Sequence, residues 1–175
     1  MTPVPFALYG PLPSGTTLLE ASAGTGKTYA IATLATRFVA EGCPLERLLV
    51  ITFTRAATGE LRSRVRERMV AARGGLEKEL ADERGTAVDD DLVALLATGD
   101  RPTVRARCDH LNRAVSQFDA ATIETTHGFC HRVLAELGVA GGAARPLELV
   151  EDVGDLLEEV VDDLYVRRYA RDGSP

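Results

Sequence analysis

The sequence has few cysteines and no long apolar segment. Its three cysteines, Cys43, Cys108 and Cys130, are an odd number without the spacing of a disulfide framework, which indicates a reduced, intracellular protein. No segment approaches the roughly 20 consecutive apolar residues of a membrane span. Residues 1–10 lack the basic and apolar regions of a secretory leader. These absences argue against a secreted or membrane-spanning protein and predict a cytoplasmic location.

The sequence also lacks an overall positive charge. Its 20 basic and 26 acidic residues give a net charge of −6 at pH 7, which argues against a protein that coats nucleic acid with a general basic surface. The charges are segregated, because residues 55–73 carry six arginines and two glutamates, whereas residues 148–163 carry acids and no base. The arginines of residues 55–73 form either a local surface for nucleic acid or a solvated basic face.

Apolar patterning predicts an α/β protein with a parallel sheet and helices on both faces. Strands are predicted over residues 16–21, 48–53 and 121–126, and each precedes a helical pattern. The run LLVITF at residues 48–53 is apolar throughout, which is typical of a strand buried on both faces. Gly74 and Gly75 are expected to end the helix that follows it. Three strands make a thin sheet, which predicts an incomplete domain.

The same pattern divides the chain into three parts. Residues 1–15 are rich in Pro and Gly and form an irregular lead-in. Residues 16–140 contain the strand–helix units, with a polar, helical insertion at residues 76–118. Residues 141–175 begin a further helical part, whose apolar stripe has no evident partner in the sequence.

Residues 20–31, EASAGTGKTYAI, carry the pattern of a phosphate-binding loop. Glycines permit the tight turn that brings backbone N–H groups to an anion at a helix N-terminus. Lys27 would contact the β- and γ-phosphates of a nucleoside triphosphate, and Thr28 would place its hydroxyl on Mg²⁺. The predicted site comprises Ala21, Ser22, Ala23, Gly24, Thr25, Gly26, Lys27 and Thr28.

Two alternatives to a phosphate loop are disfavoured by the surrounding sequence. Ala21 stands where the strict pattern G-x-x-x-x-G-K-[ST] has its first glycine, so the segment could be a glycine-rich helix cap beside a chance lysine. The apolar segment before the loop and the helix after it argue against that alternative. A dinucleotide-binding fingerprint is also disfavoured, because no third glycine follows Gly24 and Gly26.

A second motif, ITFTRAATGELRSRV at residues 51–65, places an aromatic side chain between hydroxyls at the end of a strand. Phe53 could stack on a base of single-stranded nucleic acid, and Thr54 could bond a phosphate. The alternative places Phe53 in the core, with both flanking threonines capping the next helix. Chemistry alone favours that alternative.

A third motif, TIETTHGFCHRVL at residues 122–134, again runs from a strand into a helix. Thr126 and His127 stand at the helix N-terminus, which is a second place for a phosphate. A zinc site is the alternative, although no C-x₂-C pair is present and Cys130 is expected on the apolar face of the helix. Its candidate ligands are Cys108, His110, His127, Cys130 and His131.

Taken together, EASAGTGKT, VITFTRAATGELRSRV and TTHGFCHRVL resemble, in this order, three motifs of superfamily 1 DNA helicases of the UvrD/Rep type. Within that family they are most similar to those of helicase–nuclease subunits. The resemblance implies a partial RecA-like P-loop domain, with residues 16–140 as the first part of a motor domain and residues 141–175 as the start of a helical subdomain. It implies ATP-dependent unwinding of DNA in the repair of double-strand breaks.

The resemblance also assigns roles to individual residues. It places the ATP phosphates on Lys27 and Mg²⁺ on Thr28. It gives contacts with single-stranded DNA to Phe53, Thr54, Thr126 and His127. The implied partners are single- and double-stranded DNA and the other subunits of a helicase–nuclease complex.

Several parts of the family pattern are not found in this sequence. The adenine-reading Gln of UvrD-like members is not visible before the phosphate loop. The acidic pair that holds Mg²⁺, the arginines of a second motor domain and a nuclease are also not found, so these 175 residues are expected to lack turnover. A small P-loop kinase and a non-catalytic module that binds other subunits or DNA are the alternative functions.

Overall fold

The computed structural model describes residues 5–22, 24–81, 90–137 and 153–169. Clustering of contacts divides the chain into a first unit, Met1–Thr126, and a second unit, His127–Pro175. Short 3₁₀ helices, Leu45–Arg47 and Phe118–Ala120, precede the two strands. In chain order the main elements are α1 Lys27–Ala40, β1 Leu49–Thr52, α2 Arg55–Leu80, α3 Asp91–Leu96, α4 Arg101–Ser116, β2 Thr122–Thr125, α5 Thr126–Leu137 and α6 Gly154–Tyr169.

The two strands pair in parallel, which confirms the predicted α/β class. Leu49 lies opposite Thr122 and Thr52 lies opposite Thr125. These two strands make up the sheet within the described ranges. Because parallel strands end at the same edge of a sheet, the residues that follow β1 and β2 lie at one edge.

The strand predicted over residues 16–21 is not formed. These residues have no strand geometry, and the side chain of Leu18 is 83% exposed. A strand needs hydrogen bonds to a neighbour and burial of side chains on at least one face. The short apolar run in TTLLEA obtains neither, which explains the wrong prediction.

The expectation that β1 is buried on both faces is also wrong. Leu49 and Ile51 remain 45% and 42% exposed, whereas Val50, on the opposite face, packs against the core. That face is covered by α2, which contacts both strands. An apolar run therefore predicted the strand correctly, but its composition could not say how many faces are covered.

The core of the first unit lies among α1, α2 and α4, since α2 packs against both of the other helices. The apolar side chains of α2 recur at spacings of four and three residues, which places them on one face of the helix. Its buried residues are Leu61, Val65, Met69, Ala72 and Leu76. The predicted helix around residues 104–118 is α4, which contributes Val104, Cys108, Leu111 and Ala114 to the same core.

Helix α2 continues through Gly74 and Gly75 to Leu80, so the prediction that these glycines end it is wrong. The structure gives Gly75 a different role. A Cβ atom added there would lie 2.6 Å from both Cγ atoms of Val93 in α3, and Val93 is buried. Gly75 therefore lets α2 and α3 approach closely, whereas Gly74 faces open space.

Replacing Gly75 with alanine is expected to destabilise the protein by about 1–3 kcal/mol. The new methyl group must displace the stiff, β-branched side chain of Val93. The matched change Gly74→Ala meets no neighbouring atom within 4 Å and is expected to stabilise by about 0.5–1 kcal/mol, because alanine is the better helix former. Urea unfolding of the two variants measures both effects, and a stabilised Gly75→Ala protein would contradict the close approach.

The second unit contains most of α5 and all of α6. The apolar residues of α6 are 53–64% exposed, and the rings of Tyr165 and Tyr169 lie 4.7 Å apart on its surface. Cys130 of α5 is exposed, so its expected place on a buried apolar face is wrong. Within the described segments, no helix is both long and apolar enough to cross a membrane.

Candidate nucleotide and DNA site

Two glycines with positive φ angles shape the predicted phosphate loop. Gly24 has φ 75° and Gly26 has φ 85°, a left-handed conformation that side chains with a Cβ rarely adopt. Gly26 is the N-cap of α1 and provides no side-chain cap. The first N–H groups of α1 thus begin a helix end without a capping side chain, which is the arrangement that favours an anion.

The side chain of Lys27 folds back on the loop. Its Nζ donates to the carbonyl oxygen of Ala21 at 3.1 Å and to that of Ser22. The Thr25 hydroxyl also donates to the Ser22 carbonyl, at 2.7 Å. The loop is therefore closed on itself by donors that an anion could attract away. Thr28 is half-buried at the second position of α1, and Ala23 lies outside the described residues.

A groove beside the loop separates α1 from α2. Its volume is about 430 Å³. One wall consists of Gly26, Thr28, Tyr29 and Ala32, and the other consists of Glu60, Arg64, Glu67, Arg68 and Ala71. The predicted magnesium ligand Thr28 therefore faces the helix that follows the second motif. Sequence reasoning did not assign a site role to Tyr29 or Arg68, although both stand within or next to the quoted motifs.

Tyr29 and Arg68 belong to a set of four polar side chains, which we call the Tyr29 network. The guanidinium of Arg68 donates to both carboxylate oxygens of Asp90, at 2.6 and 2.9 Å, and to the Tyr29 hydroxyl at 3.0 Å. The Tyr29 hydroxyl lies 2.9 Å from that of Tyr9. The Tyr29 network thus connects the lead-in, α1, α2 and the start of α3.

The protonation states in the Tyr29 network follow from its contacts. Burial raises the pKa of Asp90, but hydrogen bonds from Arg68 and the Leu92 and Val93 amides, with the Arg68 charge, outweigh it and hold this pKa below its ordinary value. The resulting stabilisation is present above the unfolded-state pKa of about 3.9 and is lost as the pH falls through the lower folded value. Burial and the hydrogen bond with Tyr29 raise the pKa of Tyr9 to about 12, so its hydroxyl keeps its proton.

The second motif lies at the edge where β1 ends. Phe53 is 93% exposed, so the alternative that places it in the core is wrong. Thr54 caps α2 by accepting a hydrogen bond from the Ala57 amide at 3.1 Å, as the capping alternative predicted for it. Thr52 does not cap; its hydroxyl pairs with that of Thr58 at 2.6 Å. The cap uses one lone pair of Thr54, and a hydroxyl can still donate its hydrogen.

The third motif begins at the same edge of the sheet. Thr126 directly follows β2, and the register of Thr52 opposite Thr125 places Phe53 and Thr126 side by side along the chain ends. Thr126 is exposed and opens α5. His127 is exposed and is the first residue of the second unit. The structure therefore brings the second motif and the start of the third together.

Half of the arginines in residues 55–73 hold α2 to its neighbours. Arg62 donates to the Ala121 carbonyl at 3.0 Å, Arg73 contacts Asn112 of α4 at 3.4 Å, and Arg68 belongs to the Tyr29 network. Arg64 makes only a 3.6 Å ion pair with Glu67, and both side chains are more than half exposed. Neither predicted alternative, a nucleic-acid surface or a solvated face, describes the whole helix.

The candidate zinc ligands lie in ordinary positions. Cys108 is buried in the core, and the His110 ring bonds the Ala40 carbonyl at 2.8 Å. Across the part of the chain that the structure describes, no three His, Cys, Asp or Glu side chains come together as a metal site.

A glycine-rich loop that opens a helix, beside a parallel strand pair, defines a partial α/β domain of the P-loop, RecA-like class. The chain belongs to the UvrD/REP helicase family, since residues 9–172 match the model of the UvrD/REP helicase N-terminal domain. The resemblance drawn from the three motifs is thereby confirmed.

Among individual relatives, the chain is RecB-like. It is 51% identical to the RecBCD enzyme subunit RecB of Mycolicibacterium smegmatis over 167 residues, which are 94% of this chain and 15% of the relative. It is 35% identical to RecB of Escherichia coli over 167 residues, 87% and 13% of the two chains. Identity to an ATP-dependent helicase/nuclease of Bacillus velezensis is 30% over 159 residues, 88% and 10% of the two chains. The chain thus spans no more than 15% of the length of these relatives.

Proposed function

We propose that this chain supplies the ATP-binding loop and part of the DNA track of an ATP-dependent DNA helicase that acts in double-strand break repair. The observation that carries the proposal is the lysine-bearing loop at an uncapped helix start, which stands in the register of a helicase family. ATP closure of a motor would then move DNA along the edge where β1 and β2 end.

The residues of the loop fit the phosphates of ATP. The first N–H groups of α1 and the Lys27 ammonium provide donors, and Lys27 would leave the carbonyls of Ala21 and Ser22 to reach the β- and γ-phosphates. Thr28 would hold Mg²⁺ through its hydroxyl. When bound, Mg²⁺ neutralises charge on the β- and γ-phosphates.

The residues at the sheet edge fit single-stranded DNA. Phe53 offers an exposed ring on which one base can stack. Thr54 and Thr126 offer hydroxyls, and His127 offers a ring nitrogen, for backbone phosphates. This assignment extends the predicted DNA contacts to positions whose exposure permits them.

The larger organisation is part of the same proposal. Residues 16–140 would form the first part of a motor domain with an insertion at residues 76–118, and residues 141–175 would begin a helical subdomain. Single- and double-stranded DNA and the other subunits of a helicase–nuclease complex are the proposed partners, and the cytoplasm is the proposed location.

ATP hydrolysis, measured with and without single-stranded DNA, tests the proposed function. For the complete native protein we expect hydrolysis that DNA stimulates and that depends on Lys27. For the 175 residues alone we expect nucleotide binding with turnover at background, because an arginine that acts on the phosphates can supply about 10³–10⁵ in rate.

The alternatives give different results in this assay. A P-loop kinase would phosphorylate an acceptor without any response to DNA, and the second motif would then have no role. A non-catalytic module would bind DNA or another protein of the complex without hydrolysis in the complete protein. Either result overturns the helicase proposal.

A further inference from the structure

The first turn of α1 is fastened from outside by one side chain. Tyr29 directly follows Lys27 and Thr28, and its ring is 49% exposed. Its hydroxyl contacts Arg68 at 3.0 Å and Tyr9 at 2.9 Å, and the Arg68 guanidinium lies 5.1 Å from the centre of its ring. A half-exposed tyrosine would ordinarily be mobile, so three contacts on it fix the turn that carries the phosphate-binding groups.

Arg68 is itself held firmly. Its two contacts with Asp90 are bidentate, which fixes the plane of the guanidinium as well as its distance. The two side chains are only 14% and 29% exposed, so water competes less here than at a surface ion pair. Asp90 also caps α3 by accepting from the Leu92 amide at 2.9 Å. The arginine is therefore anchored between α2 and α3.

The same contact sets the width of the groove between α1 and α2. Thr28 and Tyr29 form part of one wall, and Arg68 forms part of the other. If Arg68 moved, the wall that contains Thr28 would lose the side chain that keeps it in place. Phosphate donors must be held to within a fraction of an ångström, and their supporting residues provide that accuracy.

We propose that Arg68 is a positioning residue for the phosphate loop, acting through Tyr29. Anchored by Asp90, it holds the first turn of α1 in the orientation in which the N–H groups, Lys27 and Thr28 meet the phosphates of ATP. This inference rests on the proposed nucleotide-binding function. It gives the arginine-rich helix a role in nucleotide binding that is separate from any contact with DNA.

Calorimetric titration of the complete protein with Mg·ATP tests the inference. Three conservative variants weaken the Tyr29 network at different points. Arg68→Lys keeps the charge but loses the bidentate fork, Tyr29→Phe keeps the ring but loses the hydroxyl, and Asp90→Asn keeps a capping oxygen but loses the charge. Each is expected to raise the Kd for Mg·ATP by about 10-fold, the low end for loss of a residue that supports a binding group.

Asp100→Asn is the matched control. Asp100 caps α4 by accepting from the Thr103 amide at 3.0 Å, as Asp90 caps α3, but it is not part of the Tyr29 network. This variant should therefore bind Mg·ATP with unchanged Kd. Melting temperatures of all variants, recorded without nucleotide, separate a change in affinity from a change in stability.

The outcomes distinguish this inference from the proposed function. If the unmodified protein binds Mg·ATP and Lys27→Ala does not, while Tyr29→Phe and Asp90→Asn bind with unchanged Kd, Arg68 has no positioning role. If Arg68→Lys unfolds, Tyr29→Phe decides, because removal of a hydroxyl from a half-exposed ring leaves the core intact. If Lys27→Ala binds as well as the unmodified protein, both the phosphate loop and this inference are wrong.

Discussion

Lys27→Ala is expected to weaken the binding of Mg·ATP by at least about 100-fold, since loss of one partner of a charged, hydrogen-bonded contact costs about 2–5 kcal/mol. The ammonium is the cation of the predicted phosphate loop, and it lies against the carbonyls of Ala21 and Ser22, from which it can turn to a phosphate. Calorimetry or displacement of a fluorescent nucleotide measures the change.

The sequence offers a matched control for this prediction. It contains two lysines, Lys27 and Lys78, and Lys78 is exposed in the last turn of α2. Lys78→Ala removes the same charge from the protein and should leave the Kd unchanged. Comparable losses in both variants would show that net charge, and not the loop, governs affinity. Unchanged binding by Lys27→Ala would exclude the phosphate-loop assignment.

Phe53→Ala is expected to weaken the binding of single-stranded DNA by the complete protein by about 1–3 kcal/mol, the range for one stacked base. Its melting temperature should hardly change, because the ring is 93% exposed and its removal leaves no cavity. Affinity for ATP in the absence of DNA should also stay the same. Fluorescence anisotropy with a labelled oligonucleotide, paired with a thermal melt, measures these quantities.

A buried phenylalanine of the same unit provides the contrast. Phe118 is 5% exposed, and Phe118→Ala should cost about 3–5 kcal/mol of stability. If Phe53→Ala instead melts like Phe118→Ala and its folded fraction binds DNA normally, Phe53 is a structural residue. If Phe53→Ala binds DNA normally and melts normally, the DNA strand does not stack on this ring.

The sequence predicted the parts of the molecule that depend on local chemistry. The spacing of Gly24, Gly26 and Lys27 identified a loop with positive φ angles at a helix start. Apolar periodicity placed α1, α4 and both strands. These features follow from a few neighbouring residues, because backbone conformation and amphipathic periodicity are encoded within one or two turns.

Features that depend on distant residues could not be predicted in the same way. Gly75 looked like a helix end because only the packing of Val93 against it reveals its purpose. Phe53 looked like a core residue, since exposure of an aromatic ring cannot be deduced from its neighbours in sequence. In the Tyr29 network, Tyr29 lies 20 positions from Tyr9 and 39 from Arg68, and only the fold brings them together.

The uneven burial of the first unit has a consequence for local opening. In α2, Val65, Met69 and Leu76 are fully buried, whereas in β1 both Leu49 and Ile51 leave more than two fifths of their surface in water. Opening of the strand pair thus uncovers little new apolar surface, and its amide hydrogens should exchange with solvent well before those of α2. A nucleic acid strand bound across Phe53 would have to order the less protected end of the unit, so part of its intrinsic affinity would be spent in quenching that motion.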